Sequence, residues 1–227
     1  MSRLPRFYVE GCPLHVIQRG NNRLPIFGDA EDFLFYRTCL SFSARKHKVA
    51  VHAYVLMTNH VHALVSPRSS VAVPKMMQSI GRVYVAYFNK RYARTGTLWE
   101  GRYKAAIVEG DLYFLTCMRY IEQNPVRAGM VPNAAAYQWS SHSANAAGAP
   151  DDVISRHPLY LELGSREVER QQAYGAMFEH PVDQVDLSRI RDATQNAWAL
   201  GAPAFCADVQ RQGRRAKRIP LGRPIKE

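Results

Sequence analysis

Two residue pairs in this 227-residue chain have the types and spacing to do chemistry together. His60 and His62 flank Val61 where a strand should begin. Side chains two apart on a strand leave the same face, so both imidazoles can meet one ion. Imidazole is a common ligand for divalent metals. Tyr120 and Asn124 are four apart in a stretch that reads as helix, so they share a face. Asn124 precedes Pro125, which biases it away from helical geometry and lets it bend toward a site. A phenol ionises only at about pH 10 and is a poor nucleophile near neutrality. A divalent cation offsets this by polarising a phosphate and stabilising charge on its oxygens. Attack by tyrosine would then give a phosphotyrosine intermediate. Taken singly, each pair has a plainer reading. Histidines in strands are mostly structural, a helical Tyr mostly packs, and an Asn near a helix end mostly caps.

The surrounding pattern supplies elements to position these side chains. Residues 14–19 (LHVIQR) are β-branched and short, and read as a strand, with Gly20-Asn21-Asn22 as a turn. Asp29 opens a segment to about residue 47 in which Phe33, Tyr36, Leu40 and Ala44 recur at helical steps. Residues 49–57 and 61–66 read as adjacent strands joined near Thr58-Asn59-His60, which suggests a hairpin. A second helix spans 73–94 and a fourth strand 103–109. A third helix spans 111–123, with Asp111 as its N-cap and Pro125 as its stop. The order β-α-β-β-α-β-α predicts an α+β fold. It is a ferredoxin-like split βαβ arrangement, an antiparallel sheet with helices on one face. Residues 133–151 read as a loop or linker, and 165–212 hold further helices. The organisation expected is therefore a catalytic domain over 1–145 and a C-terminal extension over 146–227.

The formal net charge is +11, which points to a polyanionic partner, nucleic acid first. Hydrophobic residues make up 47% and charged residues 22%, enough for a packed core and against whole-chain disorder. The four cysteines, Cys12, Cys39, Cys117 and Cys206, lie far apart and form no C-x-x-C pair, which argues against a disulfide framework or a cysteine zinc site. No run of roughly 18 apolar residues suggests a membrane span, and the N-terminus lacks a signal-like apolar core. A cytoplasmic protein is expected.

Four ordered segments carry a resemblance. YVLMTNHVHALV resembles the strand motif of HUH nucleases, and RYIEQNPVRAGMV resembles the nucleophile helix of single-tyrosine transposases of the IS200 type. HVIQRGNNRLPIF and LWEGRYKAAIVE are similar to segments of the REP-associated tyrosine transposases, the branch that the whole set matches best. The similarity covers about residues 7–145. It implies that His60 and His62 are metal ligands, and that Tyr120 is the nucleophile. Tyr120 would join the 5′ phosphate of cleaved single-stranded DNA and leave a 3′ hydroxyl. Asn124 stands where family members carry a third, amide ligand, a weak donor that suits Mg²⁺ or Mn²⁺. The extension past residue 145 departs from the simplest IS200 enzymes, so their dimeric arrangement does not carry over. Monomer and homodimer both stay open.

Basic residues interleave with aromatics across 68–104, where eight Lys or Arg meet one acid, Glu100. Such a surface suits single-stranded or hairpin DNA, with charges on phosphates and rings on bases. Lys90, Arg91, Arg94, Arg102 and Lys104 are candidates, as is Arg127 just past Pro125. A solvated helix face explains the helix residues about equally well. Arg19, Asn21 and Asn22, with Gln18, follow the first strand and enter mainly through the resemblance. The tail over 211–226 has seven Lys or Arg and no acid, which favours DNA contact by Arg214, Arg215, Lys217 and Arg218. Trp99 and Trp139 read as core. Three functions follow: a DNA strand transferase, a palindrome-binding relative that no longer cuts, and a hydrolase in which Tyr120 only packs.

Overall fold

A computed structural model describes residues 8–212, apart from the Asp111 side chain. The basic-tail residues Arg214, Arg215, Lys217 and Arg218 lie outside the described residues.

The sheet has the order β2-β3-β1-β4-β5. Strands β1 (Leu14–Arg19), β2 (Val49–Met57), β3 (His60–Pro67) and β4 (Lys104–Val108) are the four expected from sequence, within a residue or two. Their mutual pairings are all antiparallel, as the split βαβ plan requires. A fifth strand, β5 (Ala199–Leu200), pairs in parallel with β4. It comes from the C-terminal extension and is too short to carry a sequence pattern.

Helices cover both faces of the sheet, which corrects the one-face expectation. Along β1, Leu14 and Val16 face one core while His15 faces the other. Val61, Ala63 and Val65 of β3 join the first core, and Leu64 the second. The first core lies under α1 (Ala30–Lys46) and α2 (Ala72–Arg91). The second lies under α3 (Gly110–Glu122), with side chains from α6 (Pro158–Leu161), α7 (Glu167–Ala176) and α8 (Gln184–Asn196). The physical reason is visible in the strands. Strands β2 and β4 are apolar at all but one position each, and β1 and β3 bury residues of both parities, which marks a sheet buried on both sides. Trp99 and Trp139 pack as expected, with Trp139 stacked on Phe33 at 4.7 Å and Trp99 beside Tyr84.

Three boundaries differ from expectation. Helix α2 ends at Arg91 rather than 94, because Ala93 turns left-handed at φ 49° ahead of Thr-Gly. Glu109, not Asp111, is the residue preceding α3, and its carboxylate accepts from the Ala202 amide at 2.6 Å instead of capping. Pro125 does not end the helical path. Residues after the bend at Gln123 form a one-turn helix, α4 (Asn124–Arg127), with the proline in its first turn, where its missing N–H costs nothing.

Residues 133–151 are not a linker. Leu56 donates to the Trp139 carbonyl, and Ser140 bridges to Val55, so the segment lies along the outer edge of β2. It then forms α5 (His142–Ala147). Its small polar residues serve one buried group, Glu122. That carboxylate is fully enclosed and accepts from Ser141 at 2.5 Å, Asn145 at 2.7 Å and Tyr174 at 2.9 Å. Glu122 therefore ties the end of α3 to α5 and α7. A final helix, α9 (Pro203–Arg211), follows β5.

Removing this acceptor leaves the Tyr174 hydroxyl and one Asn145 N–H unpaired, each costing on the order of 1–3 kcal/mol, and leaves Ser141 only the longer bond to the Tyr54 carbonyl at 3.3 Å. Glu122→Leu is expected to lower stability by about 3 kcal/mol or more, read as a reduced urea midpoint. A loss under about 1 kcal/mol would show that the network does not anchor α3.

Candidate active site

The hairpin of β2 and β3 delivers both histidines to the α3 face of the sheet. Their rings meet at 5.0 Å between centroids, nearly perpendicular. The turn is held by the preceding loop. Gly20 donates to the Asn59 carbonyl at 2.9 Å, and Ile26 to the Thr58 carbonyl at 2.9 Å. Glycine is required at position 20, since a Cβ there would sit 2.4 Å from the Leu24 carbonyl oxygen. Asn59 Nδ2 donates to the Arg23 carbonyl, which fixes the amide so that Oδ1 faces His60 Nδ1 at 2.6 Å. His60 Nδ1 must then carry the proton, and its Nε2 is left with a lone pair.

Tyr120 reaches the same place from α3. Its ring stands edge-on to His62 at 6.2 Å and to His15 at 5.7 Å. It is only 6% exposed. The Arg127 guanidinium lies over the ring, 4.2 Å from its centroid, and donates to the Tyr120 carbonyl at 2.6 Å. The bend before Pro125 is what folds Arg127 back over the nucleophile candidate. Asn124 follows the same bend. Its Nδ2 donates to the Tyr120 and Ile121 carbonyls, both at 3.2 Å, which turns the amide back along its own helix.

The imidazoles are held neutral. Burial pushes His60 down to about 4, helped by the Arg19 charge opposite it in the sheet. His62 is lowered well below the ordinary range, first by burial, then by His15, His60, Arg127 and Arg19. Neutral imidazole is the ligating form, so the pair fits a divalent cation at physiological pH. Among the described residues no three His, Cys, Asp or Glu side chains group as a metal site, and the donor atoms that the structure brings together are those of the two imidazoles. Two such ligands leave room for a cation that keeps several waters.

The sequence pattern missed three residues of this site. His15 lies diagonal to His62 across the β1–β3 ladder, and its Nε2 is 2.9 Å from His62 Nδ1. Thr194 of α8 closes on the far side, with its Oγ1 2.7 Å from His15 Nδ1. Asn59 is the third. His15 shares the parity of the β1 residues that face α3, so strand alternation could have found it. Nothing in sequence points to Thr194. A cavity of about 350 Å³ lined by Gln123, Val126, His142 and Phe178 includes none of the candidate catalytic residues.

The predicted DNA contacts divide. Lys90, Arg102 and Lys104 are exposed, as is Asn22, while Arg19 and Asn21 are half-buried. Arg94 is half-buried over the Phe88 ring. Arg91 is committed elsewhere. It pairs with Asp29 and Glu31, both at 2.6 Å, and links α2 to the start of α1. Gln18 is buried and donates to the Gly101 carbonyl.

Buried neutral histidines make stability depend on pH. Burial lowers His15 to about 3, with Arg127 adding to the effect. Burial likewise takes His52 to about 4, against a hydrogen bond to the Ser155 carbonyl that raises it. Unfolded imidazole protonates near 6.5, so below that pH the unfolded chain binds protons that the folded chain refuses. Stability is therefore full above about 6.5 and is lost as pH falls toward about 4, by roughly 1.4 kcal/mol per pH unit for each ring. Urea midpoints in EDTA at pH 7.5 and 5.5 should differ accordingly, and equal midpoints would contradict the burial of these rings.

Among curated proteins none matches the chain. Among solved structures, a REP-associated tyrosine transposase bound to a REP hairpin superposes with a TM-score of 0.52 at 17% identity, covering 69% of this chain and 93% of that one. A presumed transposase from Deinococcus radiodurans is 22% identical over 54% of this chain and 97% of its own, with a TM-score of 0.38. The profile of the family described as "Transposase IS200 like" matches residues 8–124, which hold His60, His62, Tyr120 and Asn124. The chain belongs to the IS200-like transposase family.

Proposed function

We propose that this protein cuts single-stranded or hairpin DNA by transesterification and holds the cut end on Tyr120. The observation that carries the reading is the packing of Tyr120 against His62, whose ring meets His60 on the same face of the sheet. His60, His62 and the Asn124 amide oxygen would hold Mg²⁺ or Mn²⁺. When bound, the cation polarises the scissile phosphate and stabilises negative charge on its oxygens. Tyr120 Oη attacks phosphorus and loses its proton. The bond from phosphorus to the 3′ oxygen breaks, and that oxygen takes up a proton to become a free hydroxyl. A phosphotyrosine at the 5′ end conserves the bond, so a DNA hydroxyl can reverse or redirect the step. Arg127 brings fixed positive charge beside the reacting oxygen. Lys90, Arg102 and Lys104 supply exposed charge for the phosphate backbone.

The hairpin substrate is favoured by the REP hairpin in the structural neighbour. The rival reading is a palindrome-binding protein that does not cut. One observation favours it, since Tyr120 is nearly closed off from solvent beneath Arg127. For cleavage, the α3–α4 bend must open enough to admit a phosphate.

A denaturing gel with labelled hairpin DNA and Mn²⁺ separates these readings. The native protein should give a metal-dependent covalent protein–DNA band, and Tyr120→Phe should reduce it at least a hundredfold. Tight binding with neither adduct nor cleavage would establish the binding protein. Cleavage retained in Tyr120→Phe would move the nucleophile role to water.

A further inference from the structure

We propose that Thr194 and His15 are positioning residues that set the tautomer of His62, leaving its Nε2 bare for a cation. The inference rests on the proposed role of His62 as a ligand, and it concerns residues outside the set that the sequence supplied.

The argument is a proton count along one buried chain. Thr194 Oγ1 lies 2.7 Å from the Ile190 carbonyl and 2.7 Å from His15 Nδ1. A hydroxyl has one proton. A carbonyl oxygen can only accept, so the hydroxyl donates to Ile190 and accepts from His15 Nδ1. His15 then carries its proton on Nδ1 and accepts at Nε2, 2.9 Å from His62 Nδ1. His62 must donate from Nδ1, and its Nε2 keeps a lone pair. The opposite arrangement turns the hydroxyl toward His15 and places a proton on His62 Nε2, where it would block a cation. The direction of one hydroxyl in α8 therefore decides whether a ligand atom in β3 is available.

Two features strengthen the assignment. Thr194, His15 and His62 are all buried, at 3%, 0% and 4% exposure, so water is poorly placed to substitute for a missing partner. His60 reaches the same state by a separate route, with Asn59 holding its Nδ1. Two unrelated partners thus leave Nε2 bare on both rings. Metal-bound histidine is commonly held in this way through its second nitrogen.

The test uses the full chain, metal-free, with ¹⁵N-labelled histidine. Long-range ¹H–¹⁵N spectra report which nitrogen of each ring is protonated. The native protein should show Nδ1–H on both His15 and His62. Thr194→Val keeps the shape but removes the hydroxyl. It should shift the tautomers of both rings and weaken Mn²⁺ binding by about tenfold or more. Thr194→Ser restores the hydroxyl and should restore both readouts. A purely structural Thr194 would lower the urea midpoint without moving the tautomers. The proposal is overturned by Nε2–H on His62 in the native protein, or by Thr194→Val with native tautomers and native Mn²⁺ affinity. The cleavage reading fails separately. Native protein that gives no adduct, yet shows the expected tautomers and Mn²⁺ loss, removes the cutting role and leaves the relay standing.

Discussion

An imidazole sealed inside a protein must stay neutral and must place both nitrogens, one as donor and one as acceptor. This sheet buries His15, His52 and His62 almost completely, and the rest of the site follows from how each ring is satisfied. His52 is closed by Ser66 on one nitrogen and the Ser155 carbonyl on the other, and so has nothing to offer a ligand. His15 is likewise used at both nitrogens. His62 is held at Nδ1 alone. The difference between the structural histidines and His62, the proposed ligand, is thus one unfilled hydrogen-bonding position. Neither residue type nor depth of burial makes that distinction.

The nucleophile candidate is governed by a different constraint, the placement of α3. A helix that must present Tyr120 to the sheet needs its rotation fixed. Tyr120 and Glu122 are two apart, so they point to well-separated sides of the helix. Tyr120 turns to the histidines, while Glu122 turns to Ser141, Asn145 and Tyr174. A buried carboxylate with three donors has a steep orientational dependence, because misplacing it leaves several groups unpaired at once. The polar network on one side of the helix therefore sets the aim of the phenol on the other. The bend at Gln123 then brings Arg127 back over the ring within one turn.

Much of this was legible from residue order. Alternation placed His60 and His62 on one face, helical spacing paired Tyr120 with Asn124, and the four long strands were found nearly to the residue. What the pattern could not give was depth. The near-continuous apolar run of β2 is a sign of two covered faces, but nothing in the spacing assigned the expected helices to one face or the other. Glu122 sat inside a recognised segment, but nothing local marks it as buried, because its partners are 19 to 52 residues further along. The segment over 133–151 looked like a linker because small polar residues are also what a buried carboxylate needs around it. Arg91 looked like a free cation until the fold brought Asp29 and Glu31 against it.

The extension past residue 145 carries the deepest such dependence. It adds β5 to the exposed edge of β4, which protects that edge from pairing with another chain. It also lays α8 against β4 and β1, and so supplies Thr194 to a histidine 179 residues earlier. A chain without this segment would leave His15 Nδ1 facing solvent, with no fixed preference between its tautomers. Thr194, His15 and His62 share one proton order, so substitutions among them cannot act independently. Changing any one resets the other two, and their effects on ligand binding must be strongly non-additive.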